Sequence, residues 1–152
     1  PLPDTQFDIA LMLNSLHHVP QSIMDQALAE VHRVLRPGGH LYVSEPVFAG
    51  ALNEITRLFN DEQAVRAAAQ AALDRALATG AWAQVAERRF DMPAHFADFA
   101  AFERRMLDVT FAERHLDGEL RERVRARFES HVGIGGAHFE RPMHVRLLRK
   151  PG

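Results

Sequence analysis

The sequence predicts an α/β fold built around a strand–helix–strand unit near its amino terminus, and three observations predict it. Residues 7–13 form a continuous apolar run after Phe7 and Asp8, which is typical of a parallel strand covered on both faces. An amphipathic segment follows and ends at the turn formed by residues 36–39. A second apolar strand, residues 40–45, comes next, so the order is that of a right-handed βαβ crossover.

The segment between these strands has the pattern of a helix. Ser22 followed by Asp25 resembles a capping box. An apolar residue recurs every four positions, at Ile23, Ala27, Val31 and Leu35. Proline cannot continue the helical hydrogen-bond ladder and glycine tolerates positive φ, so the tetrad Arg36-Pro37-Gly38-Gly39 predicts a sharp end to the helix.

The rest of the chain alternates predicted helices with weaker strands. Residues 50–79 predict one long helix or two shorter ones, with Gly80 as the stop, and residues 82–90 predict a strand near a sheet edge. The final strand is predicted at residues 141–149. The apolar positions that predict the helices are Leu52, Ile55, Phe59, Val65, Ala69, Leu73, Leu77, Phe96, Phe99, Phe102, Met106, Leu116, Leu120, Val124 and Phe128.

Composition excludes several classes of protein. The 152 residues fit one compact domain, and 47% hydrophobic content is ordinary for such a core. Eighteen basic residues against 20 acidic ones give no electrostatic reason to expect nucleic acid or a membrane surface as a partner. The chain has no cysteine, which excludes cysteine–zinc sites and agrees with a cytoplasmic location. Its apolar runs are far shorter than the roughly 18–20 residues of a membrane span.

Polar side chains follow both strands of the βαβ unit. The first loop contains Asn14, Ser15, Leu16, His17 and His18, and the second contains Glu45 and Phe48. In an open α/β sheet, ligands bind at the carboxyl ends of the strands, where these loops converge. The sequence therefore predicts a functional site at this edge.

The same residues carry a family resemblance. Leu2-Pro3-Asp4 followed by Phe7-Asp8, the Leu16-His17-His18-Val19 loop, and residues 34–39 resemble the later motifs of class I methyltransferases that use S-adenosylmethionine, above all the ubiquinone/menaquinone-type small-molecule branch. The resemblance covers residues 1–46 in detail. It implies a Rossmann-like sheet of order 3-2-1-4-5-7-6 with strand 7 antiparallel, of which this chain carries strands 4, 5, 6 and 7.

By this resemblance, the chain is the carboxyl-terminal part of one methyltransferase domain. The amino-terminal, cofactor-binding half has no counterpart in the sequence, and residues 50–140 contain a helical insert that covers the substrate pocket. We expect S-adenosylmethionine to be the cofactor of the complete bacterial protein, with a small-molecule methyl acceptor. We expect none to bind to this chain alone, which should be inactive.

The resemblance also implies roles for the loop residues. Asn14, Ser15 and Leu16 would contact the cofactor, and His17 or His18 would be the catalytic base, although one imidazole could instead shape the loop while the other is solvated. On the substrate side lie Glu45 and Phe48; Glu45 could equally cap the next helix or pair with an arginine. No metal is expected at the adjacent histidines, since neighbouring residues rarely project toward one ion.

Three further patterns have ordinary explanations. The arginines at 121, 123, 125 and 127 alternate with glutamates and indicate a solvated helix face rather than a nucleic-acid site. The phenylalanines at 96, 99 and 102 indicate core packing by default, with a lid over the substrate as the alternative. The glycines at 133, 135 and 136 precede a strand, so they predict a turn and not a cofactor loop.

A non-enzymatic α/β module for self-association or regulation is the competing hypothesis. Without a neighbouring strand, residues 7–13 become a sheet edge that is apolar on both faces and carries unpaired backbone groups. Such an edge predicts self-association, as a dimer, or cover by a rearranged segment.

Overall fold

The computed structural model describes residues 2–107 and 117–152 and has a mixed α/β architecture. Its strands are β1 (Phe7–Leu13), β2 (Leu35–Pro46), β3 (Ala83–Phe96), β4 (Val132–Gly133) and β5 (Gly136–Arg149). Its helices are α1 (Met24–Val34), α2 (Ala51–Thr56), α3 (Gln63–Ala78), α4 (Phe99–Met106) and α5 (Gly118–Glu129). The predicted fold class is confirmed.

The strands form one sheet in the order β1-β2-β5-β3, and β4 pairs with β5. β1 runs parallel to β2, whereas β5 runs antiparallel to β2. This is the arrangement 4-5-7-6 with an antiparallel strand 7 that the resemblance implied. β3 is an edge strand, as predicted, and it extends beyond residue 90 to Phe96.

β1 lies at the other edge of the sheet, so the expected burial of this strand on both faces is wrong. Ile9, Leu11 and Leu13 are 56%, 60% and 56% exposed. Ala10 and Met12 pack partly buried against the core. Only one face of β1 is covered within the chain, because no neighbouring element in the described residues packs on the other.

α1 begins without the predicted capping box. Ile23 occupies the N-cap position, and no side chain there accepts a hydrogen bond from the first turn. Asp25, which was expected to act in the cap with Ser22, instead bonds the Arg75 guanidinium at 2.9 and 3.1 Å. The carboxylate therefore ties α1 to α3.

The buried face of α1 is one residue out of phase with the predicted stripe. Met24 and Leu28 are fully buried, whereas Ile23 is exposed and Ala27 is half-buried. A 3-10 turn over Gln21–Ile23 leads into the helix.

The predicted turn after α1 is present as a bulge in β2. The pairing with β1 shifts from Phe7–Leu35 to Ile9–His40, so four residues of β2 lie opposite a single residue of β1. Gly38 has φ +79°, and a Cβ on Gly39 would lie 2.8 Å from the Arg36 carbonyl oxygen. Both positions therefore require glycine.

Two compact units make up the chain. The first comprises the chain up to Val47, together with Gln63–Phe90 and Met143–Gly152. Residues 50–79 contain two helices, α2 and α3, and Gly80 ends α3 with φ +75°. The core of the first unit consists of Leu16, Met24, Leu28, Leu35, Leu41, Val43, Ala69, Ala72, Leu73, Trp82 and Leu148.

The second unit comprises Phe48–Glu62 and Asp91–Pro142. Its core is aromatic, because Phe96, Phe99, Phe102, Phe128 and Phe139 pack with ring centroids 4.9–6.1 Å apart. The default interpretation of Phe96, Phe99 and Phe102 is confirmed, because all three pack in this core. Leu116 lies outside the described residues. A single partial domain and a helical insert at residues 50–140 stay predictions.

The arginines of α5 contact carboxylates and an aromatic ring within the second unit. Arg121 pairs with Glu103, and the Arg125 guanidinium lies 4.5 Å from the Phe99 ring centroid. Arg123 and Arg127 are exposed. None of the helices in the described ranges combines the length and hydropathy needed to cross a membrane.

Two polar side chains of β5 are buried. His144 and Arg146 are buried, and they bond Glu87 and Asp74 at 2.6 Å each. Val145 is only half-buried. Before β5, the glycine-rich segment forms a hairpin in which Val132–Gly133 pairs with residues 136–137, so the predicted turn is confirmed.

We predict that Gly39→Ala destabilises the first unit by about 1–3 kcal/mol, the usual cost of inserting an atom where the backbone cannot yield. The new Cβ would meet carbonyl oxygens of Arg36, Asp8 and Phe7 within 3.3 Å. Gly118→Ala is the matched control, since its Cβ meets nothing within 4 Å. Urea denaturation of both variants measures the difference; equal midpoints would contradict the prediction.

Candidate functional site

The predicted loop and Glu45 meet at the carboxyl ends of β1 and β2. The two strands are in parallel register, with Leu13 opposite Ser44. The Asn14 N–H donates to the Ser44 carbonyl at 2.8 Å, and Asn14 has φ +50°, which turns the chain into a 3-10 turn at Leu16–His18. Asparagine tolerates this left-handed conformation better than most residues.

Glu45 holds this loop with both of its carboxylate oxygens. Oε1 accepts hydrogen bonds from the backbone N–H groups of Ser15 at 3.0 Å and Leu16 at 2.7 Å. Oε2 lies 2.5 Å from Nδ1 of His17. Glu45 is 1% exposed, so these three groups replace the water that its charge would otherwise bind.

The pKa of Glu45 is lowered, and the cause is a balance of opposing effects. Burial by itself raises the pKa of this carboxyl group, but the bonds from His17 and from the backbone of Leu16 and Ser15 stabilise the charged form more. Glu45 is therefore an ionised carboxylate near neutral pH.

The contact with Glu45 also assigns the tautomer of His17. An ionised carboxylate only accepts hydrogen bonds, so Nδ1 of His17 carries the proton. When the imidazole is neutral, its lone pair is then on Nε2. His17 is 5% exposed, whereas His18 is exposed, with its ring centroid 4.1 Å from that of His17. Of these two imidazoles, His17 is therefore the one whose ring is held by the buried carboxylate.

Most of the predicted site residues lie together in the first unit. They are Asn14, Ser15, Leu16, His17, His18 and Glu45. Phe48 belongs to the second unit, where the Arg57 guanidinium lies 5.6 Å from its ring centroid. The assignment of these residues to cofactor, catalysis or substrate stays a prediction.

The function of Glu45 within the fold was missed by the sequence reasoning. Substrate contact, capping of the following helix and pairing with an arginine were the alternatives considered, whereas the carboxylate bonds the loop after β1. The signal in the sequence for this function is a carboxylate at the carboxyl end of an apolar strand, residues 40–45. The sequence does not identify its partners, which lie 28 to 30 residues earlier.

The loop retains polar groups that a cofactor could contact. The Ser15 and Leu16 amides are used by Glu45, and their carbonyls accept from His18 and Val19. The exposed Asn14 and the half-buried Ser15 hydroxyl remain at the end of β1. Leu16 is buried in the core of the first unit.

Comparison with known sequences identifies similarity in the same region. A family model described as a methyltransferase domain matches residues 1–43. The methyltransferase GfsG of Streptomyces halstedii is 38% identical over 55 residues, which are 36% of this chain and 19% of that protein. The match therefore spans about a fifth of the relative's length.

Solved structures are similar along the whole chain. A candidate methyltransferase from Bacillus halodurans C-125 has a TM-score of 0.65 at 16% identity, with 100% of this chain and 68% of that chain covered. The YcgJ protein from Bacillus subtilis has a TM-score of 0.61 at 16% identity, with 100% and 67% covered. The chain has the fold of these two proteins.

We predict that Glu45→Gln destabilises the first unit by about 2–4 kcal/mol, because a neutral amide cannot accept all three hydrogen bonds in a buried site. Since the pKa of Glu45 is lower in the folded chain than in the unfolded one, its contribution is complete above the unfolded pKa of about 4.3 and is lost as the pH falls through the folded value.

Urea midpoints measured from acid to neutral pH check this prediction. Wild type should lose more stability on acidification than Glu45→Gln does. Glu119→Gln, at an exposed position of α5, is the control and should behave as wild type. Parallel pH profiles for wild type and Glu45→Gln would exclude the assigned role of this carboxylate.

Proposed function

We propose that the complete protein transfers a methyl group from S-adenosylmethionine to a small molecule, and that this chain supplies the carboxyl-terminal part of that domain. The proposal rests on the three hydrogen bonds by which Glu45 fixes the loop at Ser15–His17. A buried carboxylate is costly to maintain, and here it fixes a loop at the sheet edge where ligands of this fold class bind. The match of residues 1–43 to a methyltransferase domain supports the same assignment.

The chemistry of methyl transfer suits a rigid loop. S-Adenosylmethionine supplies a methyl group on a sulfonium, which leaves as a neutral thioether. The protein's main task is therefore to align the nucleophile with that methyl group. Asn14 and Ser15 would bind the methionine part, and Glu45 would keep them in position through the loop. In this proposal Glu45 is a positioning residue. Phe48 would contact the substrate.

His17 favours an acceptor that must lose a proton. With Nδ1–H directed at Glu45, the lone pair on Nε2 of His17 would be left to take the proton of the acceptor. A hydroxyl group, a protonated amine or a carbon acid would each benefit from such a base. The exposed His18 would contact the acceptor or solvent. Membership of the ubiquinone/menaquinone-type branch is part of this proposal.

We predict that the 152-residue chain alone does not bind S-adenosylhomocysteine saturably, and that the full-length protein binds it with micromolar affinity. The strands that carry the glycine-rich loop and the ribose-binding acid in this fold family have no counterpart in the sequence. Calorimetric titration of both proteins makes the comparison. In the full-length protein, Glu45→Gln should weaken binding and Glu119→Gln should not. Micromolar binding by the chain alone would overturn the claim that it is inactive.

A second candidate function, a non-enzymatic module for self-association or regulation, is favoured by one observation. The outer face of β1 presents Ile9, Leu11 and Leu13, all more than half exposed, on an edge strand. A contiguous apolar edge of this kind favours pairing with another chain. In an antiparallel pair of two β1 strands centred on Ala10, these residues would lie on one face, since side chains alternate with a period of two.

We predict that the chain self-associates through β1 and that Leu11→Lys shifts it toward the monomer, because a charge would be placed in the apolar contact. Light scattering after size-exclusion chromatography measures the mass. Val85→Lys is the matched control, since Val85 is 52% exposed on the opposite edge strand, β3. A wild-type monomer, or an equal response of both variants, would contradict association through β1.

A further inference from the structure

A cavity in the second unit contains three imidazoles. Its volume is about 490 Å³, and it is lined by His95, His131 and His138 together with Phe139, Glu140 and the start of α2. All of these residues belong to one compact unit. They are separate from the loop that Glu45 holds, so this cluster is not explained by the proposed methyl transfer.

His95 already has the hydrogen bond that a metal-binding histidine usually makes. Its Nε2 lies 2.8 Å from the Gly135 carbonyl oxygen. A carbonyl only accepts, so Nε2 carries the proton and Nδ1 has the lone pair when the ring is neutral. Metal-bound histidines commonly donate their second N–H to a carbonyl in this way, which fixes the ring orientation.

His138 is positioned beside His95 on the neighbouring strand. The two ring centroids are 4.4 Å apart, with the rings tilted by 30°. Two imidazoles bound to one ion at about 2.0–2.1 Å place their centroids roughly 4.5–5 Å apart, depending on the angle at the ion. The observed separation is therefore close to that of a chelating pair.

His131 is the third imidazole that lines the cavity. Its Nε2 is buried and has no hydrogen-bond partner among the described residues, while its ring packs against Phe139 with centroids 5.5 Å apart. Buried polar atoms without a partner are rare in folded proteins, and an ion or an ordered water is a common explanation. His131 reaches the cavity from the end of α5, so it approaches from a different element than His95 and His138.

We propose that this cavity binds a divalent late transition-metal ion, such as Zn²⁺ or Ni²⁺, through His95, His138 and His131. Neutral imidazole is a preferred ligand for these ions, and the lining residues include a carboxylate at Glu140 but neither lysine nor arginine. The bound ion would join β3, β5 and the segment after α5. The ring nitrogens are not all within 4.8 Å of one another, so the site closes by side-chain rotation, chiefly of the exposed His138, while His95 keeps its bond to Gly135.

Calorimetric titration of the 152-residue chain with ZnCl₂ near neutral pH tests the proposal. We expect one saturable site and a higher melting temperature in the presence of the ion, because an ion that binds only the folded state stabilises it. His95→Ala, His138→Ala and His131→Ala should each weaken binding by about tenfold or more. Binding should also weaken strongly at about pH 5, where protons compete for the imidazoles.

A histidine outside the cavity provides the matched control. His40→Ala, on β2, should leave zinc affinity unchanged. Circular dichroism establishes that each variant is folded. Absence of saturable binding by the folded wild-type chain would overturn the proposal, and so would affinity that is unchanged in the cavity variants or lost in His40→Ala.

Discussion

The contact between Glu45 and the loop after β1 is the interaction on which the organisation of the candidate site depends. Burying a carboxylate is unfavourable unless its lone pairs are satisfied, and here two backbone amides and one imidazole satisfy them. The same three bonds join the end of β2 to the end of β1. The shape of the loop and the tautomer of His17 therefore follow from one buried carboxylate. Burial raises the pKa of Glu45, but the same three hydrogen bonds lower it more.

Polar contacts also join β5 to its neighbours in the first unit. Arg146 bonds Asp74 on α3, and His144 bonds Glu87 on β3. Burial lowers the pKa of His144, although its hydrogen bond to Glu87 opposes this effect. These contacts link a helix and an edge strand to β5. The apolar core beneath them is formed mainly by β2, α1 and α3.

The exposed face of β1 connects the two proposed functions. Ile9, Leu11 and Leu13 form an exposed apolar surface, which further strands and helices would cover in the first proposal and a second copy of the chain would cover in the second. Either partner would lie beside the Glu45 loop, because the loop begins where β1 ends.

The sequence by itself determined the order of the elements, the glycine turn after α1 and, through a family resemblance, the strand order of the sheet. These features follow from local backbone preferences: Gly38 and Gly39 permit a conformation and a close approach that other residues do not. Only the tertiary structure decided which face of β1 is covered, the rotational phase of α1, the polar buried face of β5 and the partners of Glu45. Periodicity reports which residues are apolar, whereas burial and pairing depend on segments that lie far away in the chain, as the partners of Glu45 and Arg146 do.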